Sequence, residues 1–310
     1  MQVYKFGGAS IATPERMKAL LPIIKDAKDQ LVLVVSALGK TTNALEAVVA
    51  ASCKGKKEDA HQLVHIIEKT HLDYAKGLLN ERYFAEAEKG LNVLFTELQW
   101  AVDDADAAKY DYSYDQIVCM GELMSTRIFN FFLLQEALSF QWIDIRDVIR
   151  TDTTYRDARV DWAYSEQQAK NVIGRCLSEG MNVLTQGFIG ATADNTSVTL
   201  GREGSDYTAA MLAAMLHAES VTIWKDVEGL QNADPKEFPN TVKIEAITYH
   251  EVIEMAYYGA QVIHPKTIKP LQNNNIPLYV KCFTNKDLQG SVITDEVDSM
   301  FYPPLIVLKK

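Results

Sequence analysis

The sequence predicts an α/β protein wound around a parallel sheet, and three stretches near its start carry that expectation. Gln2–Phe6 alternates briefly and runs into Gly7-Gly8, the pattern of a short strand closed by a tight turn. Thr13-Pro14 then supplies an N-cap and a proline at the first helical position, with Met17, Leu20, Leu21 and Ile24 following at helical spacing. Leu31–Val35 is a continuous, valine-rich apolar run, the mark of a strand buried on both faces. Strand, helix and strand in that order form the repeating unit of a parallel sheet.

The later elements follow in order. From about Thr42 to Ala108 the chain reads as helices with charged faces and few strand signals, a helical excursion beside the sheet. Ser113–Leu138 is a further helical region, and Trp142–Ile145 is expected as a strand. Val183–Gly187 returns to strand pattern and runs into Phe188-Ile189-Gly190. Thr192–Gly204, rich in Thr, Gly, Asn and Ser, reads as a loop or hairpin. Asp206–His217 is an alanine-rich helix, Ser220–Lys225 a strand, Tyr249–Tyr258 and Pro265–Asn273 helices, and Pro277–Cys282 a strand. No internal repeat, low-complexity tract or Gly/Ser linker interrupts the series.

The 310 residues suit two domains or one large α/β domain with two lobes, and either can bury a core without disulfides or metals. A composition of 47% hydrophobic and 23% charged residues excludes a disordered, fibrous or collagen-like chain. Lys plus Arg total 31 against 41 for Asp plus Glu, a formal net charge of −10. Such a chain is a poor partner for nucleic acid or a membrane surface, and an anionic ligand would need a local cluster of cations. Cys53, Cys119, Cys176 and Cys282 are far apart in sequence, which reads as reduced thiols in a cytoplasmic protein. No continuous apolar run approaches the roughly 18 residues of a membrane span, and the first residues lack the apolar segment of a signal peptide.

Several segments could carry chemistry. In Lys5-Phe6-Gly7-Gly8-Ala9-Ser10, paired glycines after a strand let backbone N–H groups approach a phosphate or carboxylate, and Lys5 adds a point charge; the same pattern also serves as a plain turn. Ser36–Thr42 contains Gly-Lys-Thr, but Val34 stands where a Walker A loop needs its first glycine, so a polar loop lining a site is the better reading. Glu122 lies among Ile117, Val118, Met120 and Leu123, where a carboxylate is costly unless paired; an exposed position on the helix's polar side is the alternative. Thr199–Thr208 sets Gly201, Arg202, Gly204, Ser205 and Asp206 just before an alanine-rich helix. A helix N-terminus with glycines receives anions, and arginine clamps carboxylates; helix capping accounts for Ser205 and Asp206 but not for Arg202. Trp224–Gly229 and Ala233–Lys236 follow a strand, at the end where open α/β sheets bind ligands. No zinc-protease pattern, Ser-His-Asp arrangement or dinucleotide fingerprint is readable.

In this order the segments resemble the aspartate kinases of the amino acid kinase family. The family opening Lys-Phe-Gly-Gly-Thr-Ser is similar to Lys5–Ser10, its Gly-Glu-Leu-Met-Ser to Gly121–Ser125, and its Leu-Gly-Arg-Gly-Gly-Ser-Asp-Tyr to Leu200–Tyr207. Thr185–Gly190 also matches, and Gly259–Pro265 resembles Gly-Ala-Lys-Val-Leu-His-Pro. The resemblance implies an αβα sandwich with a mostly parallel central sheet, of the amino acid kinase (carbamate kinase-like) type. It would have an aspartate-binding lobe over residues 1–200, with a helical insertion at about 42–138, and a nucleotide-binding lobe over 201–310. It implies transfer of the ATP γ-phosphate to the β-carboxylate of L-aspartate, the first step toward lysine, threonine and methionine. ATP and Mg²⁺ are the implied cofactors, L-aspartate and ATP the small-molecule partners, with no nucleic acid or membrane partner and a homo-oligomer left open. No metal site of the protein's own is expected.

Carried over position by position, the resemblance makes Lys5 and Asp206 catalytic. It places Ser36, Thr42, Glu122, Arg202, Gly204 and Ser205 around the amino acid. Lys5, Gly7, Gly8, Lys225, Asp226, Gln231, Lys236 and Gln261 would face the nucleotide. Four departures stand out: Ala9 for threonine, Glu203 for glycine, Lys225 for threonine and Gln261 for lysine. Glu203, a second charge beside Arg202, must point away or pair, and Lys225 could supply the cation that Gln261 lacks. Many aspartate kinases continue into paired ACT regulatory domains; this chain stops at Lys309-Lys310, about where they would start, so none is expected within it, nor inhibition by lysine or threonine. A kinase for glutamate or acetylglutamate and a non-catalytic amino-acid or nucleotide-binding module are the competing readings.

Overall fold

The computed structural model describes residues 1–233, 237–238, 240–258, 263–297 and 306. In chain order the strands are β1 (Gln2–Phe6), β2 (Leu31–Val35), β3 (Phe140–Ile143), β4 (Asn182–Gln186), β5 (Ile189–Ala191), β6 (Ser197–Thr199) and β7 (Ser220–Lys225). After them come β8 (Leu230–Gln231), β9 (Lys243–Ile244), β10 (Ala246–Thr248), β11 (Leu278–Cys282) and β12 (Ser291–Thr294). Eight of them form one sheet in the order β10-β12-β11-β7-β1-β2-β4-β3, while β5–β6 and β8–β9 pair as separate two-stranded units. From β11 through β3 every neighbour is parallel; β12 runs antiparallel to β11, and β10 lies parallel to β12.

All five residues of β2 are buried, as its unbroken apolar run requires. β1 lies between β2 and β7, with Lys5 opposite Val34 on one side and Ile223 on the other. The strand order departs in opposite directions from this pair, toward β2, β4 and β3 on one flank and β11, β12 and β10 on the other. That is a topological switch point, where the loops at the carboxyl ends diverge and leave a crevice.

Among the described residues twelve α-helices accompany the strands: α1 (Pro14–Ala19), α2 (Leu21–Lys25), α3 (Thr41–Cys53), α4 (Lys57–Leu78), α5 (Glu81–Asp103), α6 (Tyr110–Val118) and α7 (Met120–Gln135), then α8 (Trp162–Gln168), α9 (Arg175–Ser178), α10 (Gly204–Met215), α11 (Tyr249–Tyr257) and α12 (Pro265–Gln272). Thr13 caps α1 as expected, its side chain accepting from the Arg16 N–H. The helical excursion is α3, α4 and α5, packed on one another and on α6 and α7, with α7 reaching β2, β3 and β4. Every residue of α10 is buried, and its alanines let the helix lie close against β1, β2 and β7.

The structure corrects one sequence reading and adds two features. The strand expected at Trp142–Ile145 is Phe140–Ile143, because the Asp144 side chain accepts from the Arg146 N–H and turns the chain into a short 3₁₀ helix. The stretch between β3 and β4, left unread, contains α8 and α9 joined by a π-helical segment at Ala169–Gly174. Ala107–Gln135 is, by length and composition, long and apolar enough to cross a membrane, although no unbroken apolar run shows it; 78% of its apolar window is buried within the protein. Packing of α6 and α7 against α3 and α5 accounts for that apolarity.

Candidate active site

A cavity of about 600 Å³ opens at the carboxyl ends of β1 and β7. Lys5, Gly7, Gly8, Ser36, Thr42, Glu122, Arg202, Gly204, Ser205, Asp206, Lys225 and Asp226 all line it. Gln231 lies apart from the lining, in β8 opposite Lys243. Lys236 and Gln261 lie outside the described residues, as do 259–262 of the Gly259–Pro265 segment.

At the cavity floor Lys5 Nζ stands 2.6 Å from Asp206 Oδ1, and Lys225 Nζ 3.9 Å from Oδ2. Asp206 side-chain exposure is only 4%. Burial alone would raise its carboxyl, but Lys5 and then Lys225 outweigh burial and hold it below the ordinary aspartate value. The group is an anion that fixes one lysine and draws in another. Gly7 and Gly8 follow Lys5 directly. A Cβ on Gly8 would meet Ala37 O and Gly39 O at 2.8 Å each, so this turn admits only glycine without displacement. The Gly7 carbonyl is tied back by the Ser10 hydroxyl at 2.6 Å.

Glu122 sits in the first turn of α7, 2% exposed. Its Oε1 accepts from the Ala37 N–H at 3.2 Å, while Oε2 is buried without a hydrogen-bond partner. Burial pushes this carboxyl up to about 8, against the smaller downward pulls of the Ala37 and Glu122 amides and of Lys5. The exposed-glutamate alternative is therefore ruled out. Gly121 lets α7 approach this loop, since a Cβ there would stand 2.9 Å from Ala37 Cβ. Ser125 braces the same place, donating to the Ser36 carbonyl at 2.8 Å.

Arg202 is exposed, and among the described residues no carboxylate pairs with it. The adjacent Glu203 turns away, its Oε2 accepting from the His264 N–H at 2.8 Å. Gly187 passes so near the start of α10 that a Cβ would lie 2.5 Å from Ser205 Cβ, which sets the Gln186–Phe188 turn directly against the helix N-terminus.

Sequence reasoning missed Arg156, Tyr114, Thr199 and Phe188, which also line the cavity. Arg156 and Phe188 have φ of +67° and +70°, a region costly for residues with a Cβ. Arg156 is held there by Asp115, whose Oδ2 accepts from the Arg156 and Thr199 N–H groups at 2.9 Å each, while Oδ1 accepts from the Thr199 hydroxyl at 2.7 Å. Burial raises Asp115 to about 6 despite the Thr199 and Arg156 donors. Phe188 and Thr199 fall inside or beside quoted motifs and could have been found; Arg156 and Tyr114 lie in stretches with no motif.

Among the described residues no group of three His, Cys, Asp or Glu side chains could cage a metal ion. Mg²⁺ needs no such cage, because it keeps several waters and binds through one or two carboxylates and substrate phosphates. Asp226, an exposed carboxylate on the cavity wall, suits that role.

The profile of the amino acid kinase family matches residues 1–282. This chain belongs to the amino acid kinase family. It is 33% identical over 304 residues to lysine-sensitive aspartokinase 3 of Escherichia coli, covering 98% of this chain and 65% of that protein. It is 31% identical over 297 residues to bifunctional aspartokinase/homoserine dehydrogenase 2 of Zea mays, covering 94% of this chain and 32% of that one. The solved structure of E. coli aspartokinase III in complex with aspartate and ADP superposes with a TM-score of 0.88 at 32% identity, over 96% of this chain and 65% of that chain. UMP kinase from Bacillus anthracis, at 13% identity over 96% of each chain and a TM-score of 0.53, shares the fold alone. This amino acid kinase chain thus spans 65% of one curated relative and 32% of the other.

Proposed function

We propose that this chain transfers the γ-phosphate of ATP to the β-carboxylate of L-aspartate, giving 4-phospho-L-aspartate and ADP, the entry to lysine, threonine and methionine synthesis. One observation carries the reading. Glu122, whose Oε2 has no hydrogen-bond partner, and Arg202, with no carboxylate partner among the described residues, line the same cavity as the Lys5–Asp206 pair. A buried carboxylate seeking a cation and a guanidinium seeking an anion together suit an amino acid, and the lysine beside them suits a phosphoryl group. Likeness to aspartokinases over nearly the whole chain points the same way.

A carboxylate with a pKa near ~4 is already ionised at neutral pH, so the nucleophile needs no general base. The new bond joins a β-carboxylate oxygen to the γ-phosphorus, and the bond to the oxygen bridging the β- and γ-phosphates breaks, leaving ADP. The barrier lies in bringing two anions together. In this reading Glu122 receives the α-ammonium and Arg202 the α-carboxylate, while Ser36, Thr42, Gly204 and Ser205 complete the amino-acid side. Lys5, oriented by Asp206, stabilises charge on the transferring phosphoryl group, with Gly7 and Gly8 N–H groups beside it. Lys225, Asp226, Gln231, Lys236 and Gln261 belong to the nucleotide side. Mg²⁺ bound with ATP would neutralise charge on the phosphates, and Asp226 would be the residue that helps hold it. Ser36, Thr42 and Glu122 precede residue 201 and most nucleotide groups follow it, but Arg202, Gly204 and Ser205 on one side and Lys5, Gly7 and Gly8 on the other cross that boundary, so both stretches of chain contribute to each substrate in the one cavity.

The test is a hydroxylamine trap for acyl phosphate with ATP, Mg²⁺ and a panel of L-aspartate, L-glutamate and N-acetyl-L-glutamate. Hydroxamate from L-aspartate alone, lost in Lys5→Ala, is expected. Hydroxamate only from another acid transfers the reading to that substrate, and none from any acid refutes phosphotransfer.

A further inference from the structure

We propose that Arg156 is a specificity-determining residue of the amino-acid site, a second guanidinium that shares the substrate's α-carboxylate with Arg202. The inference rests on the reading of this cavity as the aspartate site and deepens it. Arg156 lines the cavity together with Arg202 and Glu122. Its φ of +67° is a left-handed conformation that glycine adopts freely and arginine only at a penalty. Glycine would serve the turn alone, so what arginine adds there is its side chain.

The surrounding structure enforces that backbone. Asp115, fully buried, accepts from the Arg156 N–H and from both the N–H and the hydroxyl of Thr199. One carboxylate thus joins the Arg156 turn to the end of β6. The Ala158 N–H donates to the Thr199 carbonyl at 3.1 Å, a second tie between the same two stretches. Two residues beyond Thr199, Gly201 is also left-handed, at a φ of +76°. A Cβ on it would meet the Arg156 carbonyl at 3.3 Å and Asp157 Oδ1 at 2.5 Å. The two left-handed turns therefore lie against each other, and each brings an arginine to the cavity wall, Arg156 from one and Arg202 from the other.

The side chain is steadied but not consumed. The Arg156 guanidinium lies over the Tyr114 ring, 4.4 Å from its centroid, a contact that uses none of its five N–H donors. The Tyr114 hydroxyl in turn donates to Glu46 at 2.7 Å, on α3, the helix that carries Thr42 to the cavity. Arg156 Nη1 donates to Asp111 Oδ1 at 3.3 Å, with both side chains open to solvent. An exposed pair of this kind is weak, so a substrate anion can displace Asp111 at little cost. A carboxylate offers about four lone-pair sites, and a parallel pair of bonds from Arg202 fills two of them. The α-carboxylate can therefore take both guanidiniums at once.

Calorimetry tests this on L-aspartate and on ADP with the wild type, Arg156→Lys, Arg156→Gln and Arg156→Gly, each checked for folding by its melting temperature. Lysine and glutamine bear the left-handed backbone alike and differ in charge, whereas glycine relieves the backbone, so a loss of affinity in Arg156→Gly does not come from strain. The Kd for L-aspartate should rise at least about 10-fold in Arg156→Gln and Arg156→Gly and less in Arg156→Lys, the worth of hydrogen bonds to a charged group. The Kd for ADP should stay the same in all four. L-Aspartate α-amide, which keeps the ammonium and the β-carboxylate, should bind wild type and Arg156→Gly alike. An L-aspartate Kd unchanged in Arg156→Gly overturns the proposal. So does equal weakening by lysine and glutamine, or a loss for the α-amide as large as that for L-aspartate. Wild-type protein that binds L-aspartate but forms no hydroxamate refutes phosphotransfer alone, and the same Kd values still decide the role of Arg156. Wild-type protein that binds no L-aspartate overturns both.

Discussion

Replacing Glu122 by glutamine should stabilise the protein without ligand, and by an amount that grows with pH. The wild-type carboxyl titrates at about 8 in the folded protein against an ordinary value of 4.5, because burial disfavours the charge and Oε2 has no partner. Between those two values the unfolded chain has already released a proton that the folded protein keeps. Raising the pH across that window therefore draws the equilibrium toward the unfolded state. At 1.36 kcal/mol per pH unit, the wild type loses about 3 kcal/mol between pH 4.5 and 7, and about 5 kcal/mol once the pH passes 8. Glutamine has no such proton, and its amide oxygen can still accept from the Ala37 N–H. Urea denaturation of both proteins at unit intervals from pH 5 to 9 should show their difference widening up to about pH 8 and then levelling. Saturating L-aspartate should shrink the difference at pH 7, because its ammonium gives the ionised carboxylate a partner. The same substitution should raise the KM for L-aspartate by about 10- to 100-fold, the worth of a hydrogen bond to a charged group. A stability difference that stays constant from pH 5 to 8 would refute the assignment of a displaced proton to Glu122.

Lys5→Ala should abolish hydroxamate formation and cost about 3–5 kcal/mol in urea denaturation, since it strands the buried Asp206 carboxylate with Lys225 as the remaining cation among the described residues; a variant retaining a tenth of wild-type kcat would exclude Lys5 from the transfer step. Gly8→Ala should destabilise by about 1–3 kcal/mol and raise both KM values, because the added methyl meets two backbone oxygens that cannot rotate away; unchanged stability would mean the turn is looser than its geometry. Lys225→Ala should raise the KM for ATP several-fold with less effect on that for L-aspartate, and an unchanged ATP KM removes Lys225 from the nucleotide side. Thr199→Val should cost about 1–3 kcal/mol by taking a donor from buried Asp115, read as a lowered urea midpoint.

The parts of the fold legible in the sequence were those whose local chemistry agrees with their place in the whole. β2 is apolar throughout because both its faces are covered, and α10 is alanine-rich because it lies flush on the sheet. β10 and β12 left no readable signal: each is three or four residues long and alternates buried with half-buried positions near one side of the sheet. The candidate site was legible where its groups ride on turns at strand ends, as Lys5, Gly8 and Lys225 do. Arg156 was not, because its place depends on Asp115, a carboxylate 41 residues away that also holds Thr199. The direction of Glu203 was hidden for the same reason: its partner is a backbone N–H beyond the reach of any local pattern.

The β1–β7 seam limits how this molecule can move. Lys5 and Lys225 hang from two strands joined along Gln2–Phe6 and Ser220–Trp224 by an unbroken parallel ladder. Swinging the halves apart like the jaws of a clamp would break that ladder at the middle of the sheet, where no water replaces the lost bonds. Opening and closing must then fall to the short turns at the rim, the Gly7-Gly8 segment, the Ser36–Lys40 segment and the 200–204 loop. Substrates would be admitted by flexing the lip of a rigid vessel, and the lysine at its base stays where the sheet holds it through every turnover.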